Sequence, residues 1–188
     1  MKKIIALFLV MLVASCSSTK PNFYQPIGVR ELDVSYKDFK DTIRVSNVIL
    51  PNLVARPQIT TLGEDDYSLE INEFNRWGSN LDKLIQQAIN VNLSNIFTNA
   101  MVENQSAIRK DYKYDVAIEI NDLTGRLDEF AKLDASYFIR NKNGKIIKSK
   151  NFYKAKAFEG GYDKYVKTIS IMLGDLSQAI ANDIVNLK

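Results

Sequence analysis

Apolar and polar residues alternate along two stretches in the second half of the chain, over residues 116–120 and 131–139. A period of two is typical of strands that bury one face, so each stretch predicts a strand of an antiparallel sheet. Asn143 and Gly144 follow the second stretch, and both tolerate the positive φ of a type I′ hairpin turn. The sequence therefore predicts a further strand over residues 145–158 that returns beside the second.

Three shorter strands are predicted in the first half, because β-branched residues cluster there between turn-forming residues. They cover residues 43–50, 56–62 and 67–74. Gly63 and three acidic residues separate the last two strands, which favours a hairpin.

Two amphipathic helices complete the pattern. Ser79 and Asp82 have the spacing of a capping box, which predicts a helix over residues 80–98. Apolar residues at spacings of three and four predict a longer helix over residues 162–187. Gly174 costs this helix about 1 kcal/mol relative to Ala, which indicates a close approach to the sheet or to the other helix.

The order of these elements, β-β-β-α-β-β-β-α, predicts an α+β domain. Its sheet is mainly antiparallel, and the two helices lie on one face of that sheet. We interpret the first helix as a core element, with a partner-binding groove helix as the alternative.

The N-terminus has the pattern of a secretory signal. Lys2 and Lys3 precede an apolar run over residues 4–13. This run is too short for a transmembrane helix, which needs about 20 residues. Once residues 1–15 are removed, 23 basic residues face 22 acidic ones, and the resulting net charge of +1 does not favour a nucleic-acid partner.

Residues 13–16 (Val-Ala-Ser-Cys) resemble the lipobox of bacterial lipoproteins. The resemblance implies that Cys16 is lipidated with fatty acids such as palmitate after cleavage behind residue 15. The alternative is a plain secretory peptide with a cysteine at its cleavage site. Ser17 replaces the Asp of an inner-membrane retention signal, which implies an outer-membrane anchor with the domain on the periplasmic side.

The residue types present exclude several kinds of catalyst. The chain contains no histidine, which excludes His-based general bases, Ser-His-Asp and Cys-His nucleophiles and every His-containing metal site. Cys16 is the only cysteine, so an internal disulfide is also excluded. The sequence has neither a Gly-rich phosphate loop nor a Gly-x-Ser-x-Gly elbow. We therefore expect no catalytic residues, no cofactor and no metal.

Two groups of carboxylates are the candidates for a metal site or a catalytic pair. Glu64, Asp65 and Asp66 share a turn but lack the spacing of an EF-hand loop, so ordinary turn acidity is preferred over a calcium site. Five others could supply a glycosidase pair, although the sequence does not place any two at a working distance. These five are Asp111, Asp115, Asp122, Asp128 and Glu129.

The chain divides into three predicted segments. Residues 1–15 form the signal peptide, residues 16–42 the lipidated cysteine with an irregular tether, and residues 43–188 a single domain. A short strand over residues 27–32 is an option within the tether. The sequence leaves open whether the tether is stretched out or folded onto the domain.

A row of lysines shares one side of the last predicted strand. Its members are Lys148, Lys150, Lys154 and Lys156. A solvated face that protects a sheet edge is the preferred interpretation. Anionic lipid headgroups and an acidic protein partner are the alternatives.

Two motifs carry a family resemblance. Residues 50–59 (Leu-Pro-Asn-Leu-Val-Ala-Arg-Pro-Gln-Ile) are similar to the LP-x-YL-x-RPQIV stretch of the PqiC/YmbA family, and residues 73–81 (Glu-Phe-Asn-Arg-Trp-Gly-Ser-Asn-Leu) resemble its E-x-x-RWAEPL stretch. The chain departs from the family at residues 52–55 and after Trp77, where Gly-Ser-Asn replaces Ala-Glu-Pro. The family comprises ABC-type transport auxiliary lipoproteins.

The resemblance implies a non-catalytic lipoprotein of the outer membrane. It would act with an MCE-domain protein that spans the periplasm and with an inner-membrane component, and it would support lipid transport and envelope integrity. A ring of identical copies, acting as a docking collar, is also implied. The runner-up function is a periplasmic lipid chaperone that holds an acyl chain between sheet and helices, and an envelope enzyme comes third.

Residues of the two motifs form a candidate surface for a partner or for self-association, since Trp and Arg often anchor interfaces. They are Arg56, Pro57, Gln58, Arg76 and Trp77. The structural alternative is a brace at the strand-to-helix corner. In that brace Pro57 fixes the entry of a strand, and the two arginines pair with Glu73 or stack on Trp77.

Overall fold

The structure is a computed structural model that describes residues 20–65, 67–104 and 111–187. Five strands form the larger sheet, in the order β5-β2-β6-β7-β8. They are β2 (Ile43–Ile49), β5 (Val102–Asn104), β6 (Tyr114–Arg126), β7 (Phe130–Asn141) and β8 (Ile146–Ala157). The last three pair antiparallel, as their alternation predicts, whereas β2 pairs in parallel with both β5 and β6.

A smaller sheet has the order β1-β4-β3. Its strands are β1 (Asn22–Tyr24), β3 (Gln58–Leu62) and β4 (Leu69–Trp77). The predicted hairpin of β3 and β4 is present, and β1 adds a parallel edge strand to β4. The pairing of this hairpin jumps from Arg76 to Asn72, so residues 73–75 bulge out of β4.

The two helices, α1 (Leu81–Ile96) and α2 (Tyr162–Val185), pack against each other and against the larger sheet. Along β7 the odd-numbered side chains from Ala131 to Ile139 are at most 1% exposed, and they belong to the same core as the buried faces of both helices. The α+β class and the order of the longer elements are therefore confirmed. Strands β1 and β5 have no counterpart in the prediction, because each has only three residues and depends on pairing with a distant strand.

The predicted capping box at the start of α1 does not form. The N-cap residue is Asn80, one position after Ser79, and within the described residues it makes no side-chain cap hydrogen bond. Since α1 begins at Leu81, Asp82 is the second helical residue, one place too early to reach back as a capping box requires.

The hairpin between β7 and β8 differs from the predicted type I′ turn. Gly144 has a φ of 78°, but Asn143 is not among the described residues with positive φ. The amide of Gly144 donates to the carbonyl of Asn141 over 2.9 Å, and the amide of Asn141 donates to the carbonyl of Lys145 over 3.0 Å. These bonds define a type I turn followed by a glycine bulge, which needs only one left-handed residue.

Residues 25–36, here called the strap, cross the faces of α1 and α2 that lie away from the larger sheet. The amide of Ile27 donates to Ser170 Oγ over 3.1 Å, and the amide of Val29 donates to Asn92 Oδ1 over 2.7 Å. The optional strand over residues 27–32 is therefore absent, since helix side chains rather than a neighbouring strand take up these backbone bonds. Gly174 makes its close approach to the strap, where an added Cβ would lie 3.2 Å from side-chain atoms of Val29 and Leu32.

Within the described residues, neither helix combines the length and apolar character needed to span a membrane. Cys16, the signal peptide and the first residues of the tether lie outside the described residues.

Candidate functional site

A cleft of about 490 Å³ opens where β2 ends, β3 begins and β4 leads into α1. Arg56, Pro57 and Trp77 line it together with residues from the end of β2 and the start of α1. Both motifs of the family resemblance thus meet at one place, although twenty residues of chain separate Pro57 from Trp77.

Short backbone contacts fix the walls of the cleft. The amide of Trp77 donates to the carbonyl of Pro57 over 2.8 Å, and the amide of Gly78 donates to that of Tyr24 over 2.7 Å. The Trp77 side chain is only 5% exposed and belongs to the main hydrophobic core. Trp77 therefore braces the corner between β4 and α1 and forms part of the cleft lining at the same time.

Arg56 brings an unsatisfied donor to the cleft. Its Nε is buried and has no hydrogen-bond partner among the described residues. A buried donor without an acceptor costs about 1–3 kcal/mol, so a local rearrangement that gives this Nε an acceptor would be favoured. The uncapped amino end of α1 lies on the same cleft and adds the positive end of the helix dipole.

Gln58 and Arg76 lie on the other face of the smaller sheet. They pair across β3 and β4, and both bond to Glu73: Gln58 Nε2 over 3.1 Å and Arg76 Nη2 over 3.0 Å to the same carboxylate oxygen. The pKa of Glu73 lies below its usual value. The hydrogen bonds from Gln58 and Arg76 lower it most, and the positive charges of Arg76 and Arg56 add to the effect. The predicted pairing of Arg76 with Glu73 is therefore present, on the face of β4 opposite Trp77.

The lysine row lies on the side of β8 that faces α2. Lys150 Nζ lies 2.8 Å and Lys148 Nζ 3.8 Å from Asp183 Oδ1, while Lys154 Nζ lies 3.6 Å from Asp175 Oδ2. Three of the four lysines thus have acidic neighbours within the chain, and these contacts tie the edge strand to α2. The sequence did not indicate these acidic neighbours, because they lie on a helix whose register against the sheet is set by tertiary packing.

Asp183 is a buried carboxylate that holds this edge. Tyr137 donates its hydroxyl to Asp183 Oδ2 over 2.6 Å. Burial alone would raise the pKa of Asp183, but the hydrogen bonds from Lys150 and Tyr137 and the charges of Lys150 and Lys148 outweigh it, so this pKa lies below its ordinary value. Burial and the bond to Asp183 raise the pKa of Tyr137.

A second buried carboxylate, Asp115, lies on the opposite face of the larger sheet and is 2% exposed. It accepts hydrogen bonds from Arg44 Nε over 2.8 Å and from Ser46 Oγ over 2.5 Å. The hydrogen bond to Asp115 raises the pKa of Arg44. The Arg44 guanidinium also lies 3.8 Å from the centre of the Tyr112 ring.

Most of the other acidic candidates also have structural partners. Asp122 pairs with Lys132, Asp128 accepts from the amide of Gly160, and Glu129 pairs with Arg126. Asp65 accepts hydrogen bonds from the amides of Tyr67 and Ser68, as in an Asx turn, and Asp66 lies outside the described residues. Across residues 20–65, 67–104 and 111–187, no cluster of three or more ligand-type side chains could hold a metal ion.

The chain is thus a small α+β protein with a cleft where its two motifs meet. The family described as ABC-type transport auxiliary lipoprotein component matches residues 31–181, and the chain belongs to this family. The family description assigns it an auxiliary role in transport. Among curated proteins, none matches this sequence significantly.

Two solved structures are similar in fold. The crystal structure of an uncharacterized protein aligns with a TM-score of 0.73 at 20% identity, covering 88% of this chain and 99% of that one. Protein XCC0632 from Xanthomonas campestris, of the family DUF330, aligns with a TM-score of 0.70 at 10% identity, covering 85% of this chain and 92% of the other. At such identities these structures support the fold alone.

Proposed function

We propose that this chain is a lipoprotein of the outer membrane that acts, without catalysis, as a docking component of an MCE-type intermembrane lipid transport complex. Lipidation at Cys16 anchors it with the domain in the periplasm. Its partners are a periplasm-spanning MCE-domain protein and an inner-membrane component, and self-association into a ring is part of the same proposal. The complex supports the integrity of the envelope.

The cleft around Arg56 is the observation that carries this proposal. It combines an apolar wall, to which Trp77 contributes, with the partly exposed cationic side chain of Arg56. Clefts of this kind suit one protruding segment of a partner, with an apolar side chain against the wall and a carboxylate or carbonyl oxygen at the arginine.

The carrier alternative requires room for an acyl chain between sheet and helices. Side chains fill that interface in the described residues: Tyr137, Ile139, Met172 and Leu173 are at most 1% exposed there. The docking function is therefore preferred. Stoichiometric phospholipid on delipidated protein purified from membranes would reverse this preference.

Charge reversal at the cleft tests the proposal. Full-length chains with Arg56→Glu or Lys142→Glu are crosslinked in cells and recovered from membranes, and the co-purified MCE-domain protein is quantified. Lys142 is the control because it is an exposed cation on the β7–β8 turn, far from the cleft in the fold. We expect about tenfold lower recovery with Arg56→Glu, equivalent to about 1.4 kcal/mol, and no change with Lys142→Glu. Equal recovery from both variants, at equal melting temperatures, would rule out the cleft as the docking site.

A further inference from the structure

The strap and β1, which directly precedes it, display apolar side chains to solvent although their backbone is firmly held. Ile27 is 59% exposed, while its amide is bonded to Ser170 of α2. Phe23 is 64% exposed, while its backbone is paired with Arg76 in the smaller sheet. Exposed apolar side chains on a fixed backbone are typical of a contact surface rather than of a frayed end.

An apolar groove of about 530 Å³ runs along this region, between the strap and the first half of α2. Phe23, Ile27 and Ile171 line it. A second groove lies on the other side of Ile27 and reaches the exposed Val91 of α1. Ile27 therefore lines both grooves, and the area around it is here called the strap surface.

Positive charge borders the strap surface. Arg30 and Lys167 line the apolar groove, and exposed Lys20 lies three residues before Phe23. Asp163 is the only acidic residue among those that line this groove. The strap also carries Glu31 and Asp33, which lie outside the groove lining, so the positive border is confined to the groove itself. Apolar side chains beside Lys and Arg match the interfacial zone of a bilayer, where acyl chains meet phosphates.

The position of the anchor indicates which surface faces the lipids. Cys16 precedes Lys20 by four residues, so a fully extended link between them spans only about 13 Å. A domain of this size is roughly 40 Å across, since its radius of gyration is about 15 Å. The strap surface is therefore within reach of the anchored end, whereas the open face of the larger sheet lies on the far side of the helices.

We propose that the strap surface rests on the leaflet that holds the lipid anchor. Phe23 and Ile27 enter the interfacial zone, and Arg30 and Lys167 contact lipid phosphates. This inference rests on the proposed lipidation of Cys16. It gives the domain a fixed orientation on the membrane.

Site-specific labelling tests the orientation. Because Cys16 is the only cysteine and its sulfur is blocked by lipidation, an introduced cysteine is the only free thiol of the mature protein. Ile27→Cys and Tyr153→Cys are labelled with an environment-sensitive fluorophore in lipidated full chain, which is then reconstituted into phosphatidylethanolamine–phosphatidylglycerol vesicles. Tyr153 is the matched control, since it is 66% exposed on β8 and neighbours Phe152, which packs on the core from the other side of the strand.

We expect nitroxide-bearing lipids to quench the label at residue 27 at least threefold more than the label at residue 153, with a blue-shifted emission at residue 27. Equal quenching at both sites, in protein that floats with the vesicles, would overturn the strap contact but leave the anchor intact. A blue shift at residue 27 without quenching by the lipids would assign a protein contact instead, and would also overturn it. Failure to float would remove the anchor itself, and the strap contact with it.

Discussion

Replacing Trp77 by alanine tests the brace between β4 and α1. Trp77 is 5% exposed within the main core, so the substitution removes nearly the whole buried indole. A buried aromatic side chain covers about 150–250 Å², and burial contributes about 25 cal/mol per Å², which gives roughly 4–6 kcal/mol as an upper limit. Truncations of this kind typically cost about 3–5 kcal/mol. For a chain of this length, the melting temperature should fall by roughly 6–20 °C.

The measurement is thermal unfolding followed by far-ultraviolet circular dichroism, with urea unfolding as a second estimate of the free energy. Tyr153→Ala is the control, because this aromatic residue is 66% exposed and its loss should cost less than about 0.5 kcal/mol. A fall of 2 °C in melting temperature corresponds to a loss of roughly 0.5 kcal/mol in stability. A Trp77→Ala variant that melts within 2 °C of the parent would therefore refute the brace. If recovery of the partner were also unchanged, Trp77 would have no part in the docking site either.

Three further predictions concern buried polar groups. The pKa of Asp183 is lowered in the folded chain. Its contribution to stability is therefore present above the unfolded pKa of about 3.9 and is lost as pH falls through the lower folded pKa. Asp183→Asn should flatten the acid end of a plot of urea midpoint against pH, and an unchanged slope would contradict this. Asn92→Ala should leave the amide of Val29 without its acceptor and speed hydrogen exchange there at least tenfold, whereas unaltered exchange would mean that the strap is held by other contacts. Asp115→Ala should lower the free energy of unfolding by about 2–4 kcal/mol, because Arg44 loses its partner on the sheet face, and a loss below 0.5 kcal/mol, the scale of an ordinary surface substitution, would count against that role.

The sequence predicted those parts of the fold that carry their own local pattern. Strands β6 and β7 alternate within themselves, and α2 repeats its apolar residues every three or four positions, so each could be recognised without its neighbours. Strand β8 was predicted from the turn before it. Strands β1 and β5 could not be recognised in this way, since three residues carry no period. The division of the strands into two sheets could not be predicted either, because it depends on which strands pair in the tertiary fold.

The candidate site was only partly predictable. The two motifs identified Arg56, Pro57 and Trp77, and the structure places all three on one cleft. Gln58 and Arg76 belong to the same motifs, but the alternation of side chains along β3 and β4 directs them to the other face. The contribution of Val48 and Asn80 to the cleft had no signal in the sequence, because β2 and α1 meet there only through the tertiary fold.

The parallel pairing of β1 with β4 has a mechanical consequence. In the proposed function the lipid anchor precedes the amino end of β1, while the cleft lies at the carboxyl end of β4. A pull between lipid and partner would therefore act along the two strands in opposite directions. The three residue pairs that join them would share this load in shear and would not open one after another. A three-residue edge strand is thus placed where tension is best resisted.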